Sequence, residues 1–149
     1  MSKTTLPLIY SCSGCSNVAQ LANTLAVRLD RAGLAEMSCI AGVGGHVQAL
    51  LSKARSGRAI LAIDGCPLHC ASACLAQHGI GADVHITLSS CGLRKRYRED
   101  CSAAEADALY EDMTRIIARD LDCPRQAQAS LASRQTSLMQ GMDAQRLID

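Results

Sequence analysis

Apolar residues in this chain alternate between short continuous runs and longer stretches in which they recur three and four positions apart. Leu6 to Tyr10 is a short run that predicts a strand. Ser11-Cys12-Ser13-Gly14-Cys15-Ser16-Asn17 turns the chain, after which Val18, Leu21, Ala22, Leu25, Ala26 and Leu29 recur at helical spacing. Gly33 stops that helix, and Glu36 to Ile40 predicts a second short strand running into the glycine-rich loop Ala41-Gly42-Val43-Gly44-Gly45. The next helix carries Val47, Leu50, Leu51 and Ala54, and Gly57 closes it. Ala59 to Ile63 is the most continuously apolar run, the pattern of a central parallel strand covered on both faces. Asp64-Gly65-Cys66-Pro67 marks a turn in which Cys66 suits the N-cap and Pro67 the first position of a helix through Gln77. Val84, Ile86 and Leu88 alternate as a fourth strand. Ser102-Ala103-Ala104-Glu105 has the form of a capping box, opening a long helix that ends near Cys123-Pro124.

Four strand-then-helix units in a row predict an α/β fold, a small doubly wound three-layer domain on a four-stranded parallel sheet. The commonest strand order for such a sheet is 2-1-3-4, which makes strands one and three neighbours at the topological switch point. With 149 residues the chain suits one domain. We read residues 1–123 as that domain and 124–149, rich in Gln, Ser and Ala, as a mobile or weakly helical tail on which a protein partner is expected to dock.

Composition removes several function classes. Apolar residues are 48% and charged residues 19%, which argues against disorder, and a net charge of +1 offers no field to attract nucleic acid. Aromatics are 2%, so base-stacking platforms are missing. The start, MSKTTLPLIYSCSGC, has no apolar segment of signal-peptide length, and no run is long enough to span a membrane, so the expected location is the cytoplasm. Nine cysteines stand out against this background, because in a reducing compartment clustered thiols more often bind metal or do thiol chemistry than form structural disulfides.

The cysteines fall where open α/β sheets bind ligands. Cys12 and Cys15 follow strand one, Cys39 closes strand two, Cys66 follows strand three with Cys70 close behind, and Cys91 follows strand four. Parallel strands are about 4.8 Å apart, and sulfurs on one tetrahedral zinc are under about 4 Å from one another, so Cys12, Cys39, Cys66 and Cys70 can meet across flexible loops. A continuous helix from Cys66 would carry Cys74 roughly 12 Å away, too far to share a metal with it. Cys74, Cys101 and Cys123 read as ordinary packing thiols. Helix N-termini are expected to favour thiolates at Cys15 and Cys66 most.

The stretches Tyr10-Ser11-Cys12-Ser13-Gly14-Cys15-Ser16-Asn17-Val18, Met37-Ser38-Cys39-Ile40-Ala41-Gly42-Val43 and Ile63-Asp64-Gly65-Cys66-Pro67-Leu68-His69-Cys70 together resemble the DGC family, and Asp64-Gly65-Cys66 is its name-giving motif. The resemblance spans roughly residues 6 to 120 and implies zinc binding rather than a reaction. It implies Cys12, Cys39, Cys66 and Cys70 as the chelators and leaves Cys15 as an extra thiol able to replace a ligand or carry redox chemistry. Four convergent thiolates suit zinc, with an iron-sulfur cluster as the alternative.

An enzyme reading competes. Cys12-Ser13-Gly14-Cys15-Ser16-Asn17 has the outline of the anion-cradling loop of low-molecular-weight phosphatases and arsenate reductases, but no Arg precedes Arg28 to hold a dianion. His69 reads as bland, pointing away from Cys70, and Arg94-Lys95-Arg96-Tyr97-Arg98 as a solvated basic turn blunted by Glu99 and Asp100. Asp64 is the one carboxylate at the motifs, a candidate to support a ligand or move a proton. The expectation is a cytoplasmic zinc-binding protein in metal handling, sensing or regulation.

Overall fold

The computed structural model describes residues 5–121. The expected tail and Cys123 lie outside the described residues. Four strands, β1 (Leu8–Ser11), β2 (Glu36–Met37), β3 (Ile60–Asp64) and β4 (Val84–Thr87), form one all-parallel sheet of order β2-β1-β3-β4. Five α-helices connect or follow them: α1 (Asn17–Arg31), α2 (Ile40–Gly44), α3 (Gln48–Ala54), α4 (Cys70–Ala76) and α5 (Ala103–Ile116).

The strands are two-sided because their neighbours cover both faces. Ile9, Leu61 and Ile63 pack with Leu21, Leu25 and Leu29 of α1 and Leu109 and Met113 of α5. The alternate residues Leu8, Tyr10, Ile60 and Ala62 pack with Val43 of α2, Leu51 and Ala54 of α3 and Leu75 of α4. Every position of β3 is buried, as its unbroken apolar run requires. The three-layer, doubly wound α/β reading therefore holds, with the cysteine loops at the C-terminal edge.

Several local expectations do not hold. The second strand stops at Met37, and the glycine-rich stretch is a helix: Cys39 is the N-cap of α2, with its Sγ accepting from the Gly42 N–H at 3.4 Å. The helix expected from Pro67 begins only at Cys70. Cys66-Pro67-Leu68-His69 is a turn closed by the His69 N–H on the Cys66 carbonyl at 3.1 Å, and His69 precedes the helix in the left-handed region at φ 51°. Cys66 thus caps no helix. The length argument that separated it from Cys74 also loses its premise; Cys74 packs α4 on α2 instead, its Sγ 3.0 Å from where a side chain on Gly44 would begin. The fourth strand ends at Thr87, and Leu88–Cys91 winds as a 3-10 turn.

The capping box is formed as expected. Ser102 Oγ accepts from the Glu105 N–H, and Glu105 returns the bond to the Ser102 N–H at 2.7 Å, a device worth about 1 kcal/mol. The last helix continues from α5 as a π turn over Ile117–Leu121. No helix among the described residues is long and apolar enough to cross a membrane.

Candidate functional site

The Asp64-Gly65-Cys66 motif ends the central strand, and each of its residues has a separate physical task. Asp64 is 1% exposed; its Oδ1 accepts from the Ala71 N–H at 2.8 Å, and its Oδ2 from the Ser72 N–H at 3.1 Å. These are two of the orphan donors at the start of α4, and His69, the residue in the cap position, makes no side-chain cap bond. Asp64 Oδ2 is also 2.8 Å from His85 Nε2 on β4. A single buried carboxylate therefore ties β3, β4 and α4 together.

Gly65 fills the space between β3 and α1. A Cβ there would lie 2.7 Å from Ala19 N and from Val18 C, both backbone atoms that cannot swing aside. Its N–H donates to Cys12 Sγ at 3.1 Å. The bare glycine lets β3 leave the sheet against the first turn of α1 and brings Cys12 and Cys66 to the same edge.

Cys12 is 8% exposed. Burial pushes its thiol above the ordinary range, the Gly65 N–H pulls it back, and Asp64, Cys70 and Cys66 push it further up. Cys66 is half-buried and accepts from Lys95 Nζ at 3.4 Å, while Cys70 is exposed on the first turn of α4. Three sulfurs from three loops, Cys12, Cys39 and Cys66, thus each accept an N–H donor. Cys66 and Cys70 act electrostatically on Cys12, while Cys39 sits at its own helix cap and Cys15 is exposed ahead of α1.

The basic run is a strap, not a free turn. Asn17, buried at the start of α1, donates from Nδ2 to the Arg94 carbonyl at 3.0 Å, accepts the Arg96 N–H on Oδ1 at 2.7 Å, and donates its own N–H to the Arg96 carbonyl at 3.0 Å. Ser16 and Tyr97 pair antiparallel beside it. This anchorage lays Lys95 across the cysteine edge, with its Nζ 5.4 Å from the centre of the Tyr97 ring. The Tyr97 side chain and then the Cys66 sulfur hold the Lys95 amine above its ordinary range. Composition alone could not reveal the strap, since Asn17 and Arg96 are 79 residues apart.

His69 is less bland than its spacing implies. Its Nε2 is 2.9 Å from Thr87 Oγ1, and its ring meets that of His85 edge-on at 4.7 Å, so the two imidazoles close the side of the loop facing β4. Cys101 is half-buried against the α1–α5 core, and Cys91 directs its S–H at the Thr87 carbonyl at 3.5 Å.

The donor set, four thiols with N–H donors on three of them, has the chemistry of a thiolate metal site. Among the described residues no three His, Cys, Asp or Glu side chains already stand as a closed coordination group.

The comparisons agree with the motif. The model of the DGC domain matches residues 8–113. A Pseudomonas aeruginosa protein described as "Anaerobic and virulence modulator AnvM" is 64% identical over 112 residues, which cover 75% of this chain and 86% of that protein. No solved structure matches the chain. On the extent of both matches, this chain belongs to the DGC family.

Proposed function

We propose that this chain is a regulatory protein of the cytoplasm that works through a zinc-binding thiolate cluster at the C-terminal edge of its sheet. The observation that carries the reading is that the sulfurs of Cys12, Cys39 and Cys66, each from a different loop, all accept N–H donors. The likeness to a protein described as a modulator supports regulation. The eight described cysteines are free thiols, which suits a reducing compartment.

Cys12, Cys66 and Cys70 would hold the ion, with Cys39 as fourth ligand. When bound, zinc would keep the sulfurs deprotonated and fix the loops relative to one another. The chain's own residues do the rest. Asp64 holds the start of α4, and with it Cys70, at the end of β3; Gly65 presents an N–H to Cys12; Lys95 supplies positive charge beside Cys66.

The phosphatase-like alternative fares worse, because Cys12 Sγ is buried and turned toward Gly65 rather than standing as a nucleophile in its own loop.

The test is a series of single substitutions. Cys12→Ser, Cys39→Ser, Cys66→Ser and Cys70→Ser should each weaken zinc retention by at least about tenfold, and none should replace AnvM in a Pseudomonas aeruginosa strain lacking it, while Cys101→Ser retains both properties. Should Cys15→Ser empty the site and Cys39→Ser leave it full, the ligand assignment is wrong.

A further inference from the structure

We propose that His46 and His78 form a second metal site, apart from the thiol edge, that takes an exchangeable divalent ion of the zinc or nickel type through two imidazole nitrogens. The two rings meet edge-on with their centres 4.5 Å apart. His46 lies in the turn between α2 and α3, and His78 just past α4, roughly 12 Å along that helix from Cys70. The site therefore stands on its own residues, whatever the thiols hold.

The tautomer of His78 is set for ligation. The Val43 carbonyl, which can only accept, lies 2.7 Å from His78 Nε2, so in the neutral ring this nitrogen carries the proton and Nδ1 keeps its lone pair. A ligating imidazole commonly donates its other N–H to a backbone carbonyl in this way, which orients the ring and raises the basicity of the free nitrogen. Val43 is fully buried, so the anchor is rigid, and the Arg55 guanidinium holds the His78 carbonyl at 3.2 Å. The same Val43 carbonyl takes the His46 N–H at 3.3 Å, and the Val47 N–H bonds the Gly42 carbonyl at 2.9 Å. These bonds hold His46 in the left-handed region at φ 62°, with its ring exposed beside that of His78.

With metal–nitrogen bonds of about 2.0–2.1 Å, two ligand nitrogens on a tetrahedral ion stand roughly 3.3 Å apart. Rings centred 4.5 Å apart reach that separation when the exposed His46 ring turns. Among the described residues no third His, Cys, Asp or Glu joins the pair into a larger group, so water completes the shell and the ion exchanges readily. Imidazole donors select zinc, nickel or copper over magnesium and calcium. An ion held by both rings staples the turn after α2 to the end of α4.

The experiment titrates Ni2+ into the full chain as purified, without a polyhistidine tag, and follows the heat of binding, the Tm and the ring proton signals of the four histidines. His69 and His85 lie beside the thiol edge, so their signals report any nickel taken up there and keep the two sites separate. The expected result is that paramagnetic broadening strikes His46 and His78 first and that Ni2+ raises the Tm, as a ligand of the native state must. His46→Asn, a residue that tolerates the left-handed backbone, and His78→Gln should each weaken Ni2+ binding by about tenfold or more. His46 is exposed, so His46→Asn should keep the wild-type circular dichroism. Wild-type Ni2+ affinity in His46→Asn, or broadening that begins at His69 and His85, overturns the proposal.

Discussion

Gly65→Ala is expected to destabilise this protein by about 3 kcal/mol and lower its Tm by on the order of 10 °C, the loss expected when a methyl group is forced against immobile atoms. The new Cβ would sit 2.7 Å from Ala19 N and Val18 C and 2.8 Å from the Val18 carbonyl oxygen. None of these can rotate away, because Val18 and Ala19 belong to the first turn of α1 and Ser16 Oγ holds the Ala19 N–H at 3.2 Å. The loop must retreat, taking with it the N–H that Cys12 Sγ accepts. Thermal unfolding followed by circular dichroism measures the loss, and a Tm within about 2 °C of wild type would show that the close approach is not a constraint.

Asp64→Ala is expected to cost about 2–4 kcal/mol, because it removes a carboxylate that is 1% exposed and strands the Ala71 N–H in a buried bond and the part-buried Ser72 N–H and His85 ring nitrogen. Asp64→Asn keeps the shape and one acceptor oxygen, so its loss should be roughly half. The stranded donors lie at the start of α4; hydrogen exchange should therefore rise first at Ala71 and Ser72. Uniform destabilisation with no local rise there would mean that the carboxylate does not hold the helix. Since Cys70 begins that helix, the same substitution should loosen the thiol cluster without touching a cysteine.

The global fold was legible because it depends on apolar runs. Ala59 to Ile63 identified the central strand, the alternation of strands with amphipathic segments identified the parallel sheet, and the order 2-1-3-4 followed from the commonest arrangement of such units. Local boundaries near the site were less legible for a specific reason. Proline at the first position of a helix and proline at the second position of a turn share the same φ, so Pro67 could not tell a helix from the turn it occupies. Cys39 looked like the end of a strand because its capping atom is a sulfur rather than an oxygen.

The site was half legible. Which cysteines lie in loops at the sheet edge could be read from their positions after strands, and Cys66 and Cys70 act electrostatically on Cys12 there. What could not be read are partnerships distant in sequence: Gly65 against Val18, Asp64 with His85, and Asn17 with Arg94 and Arg96. Each motif residue owes its identity to a neighbour that another element supplies. The basic run had the composition of a solvated turn and became a strap only through Asn17.

The central claim is that these thiols form one metal-binding cluster, and elemental analysis of protein purified without added metal tests it most directly. The account predicts about one zinc per chain, bound by four sulfurs. Protein carrying no metal, or stoichiometric iron in place of zinc, would contradict it.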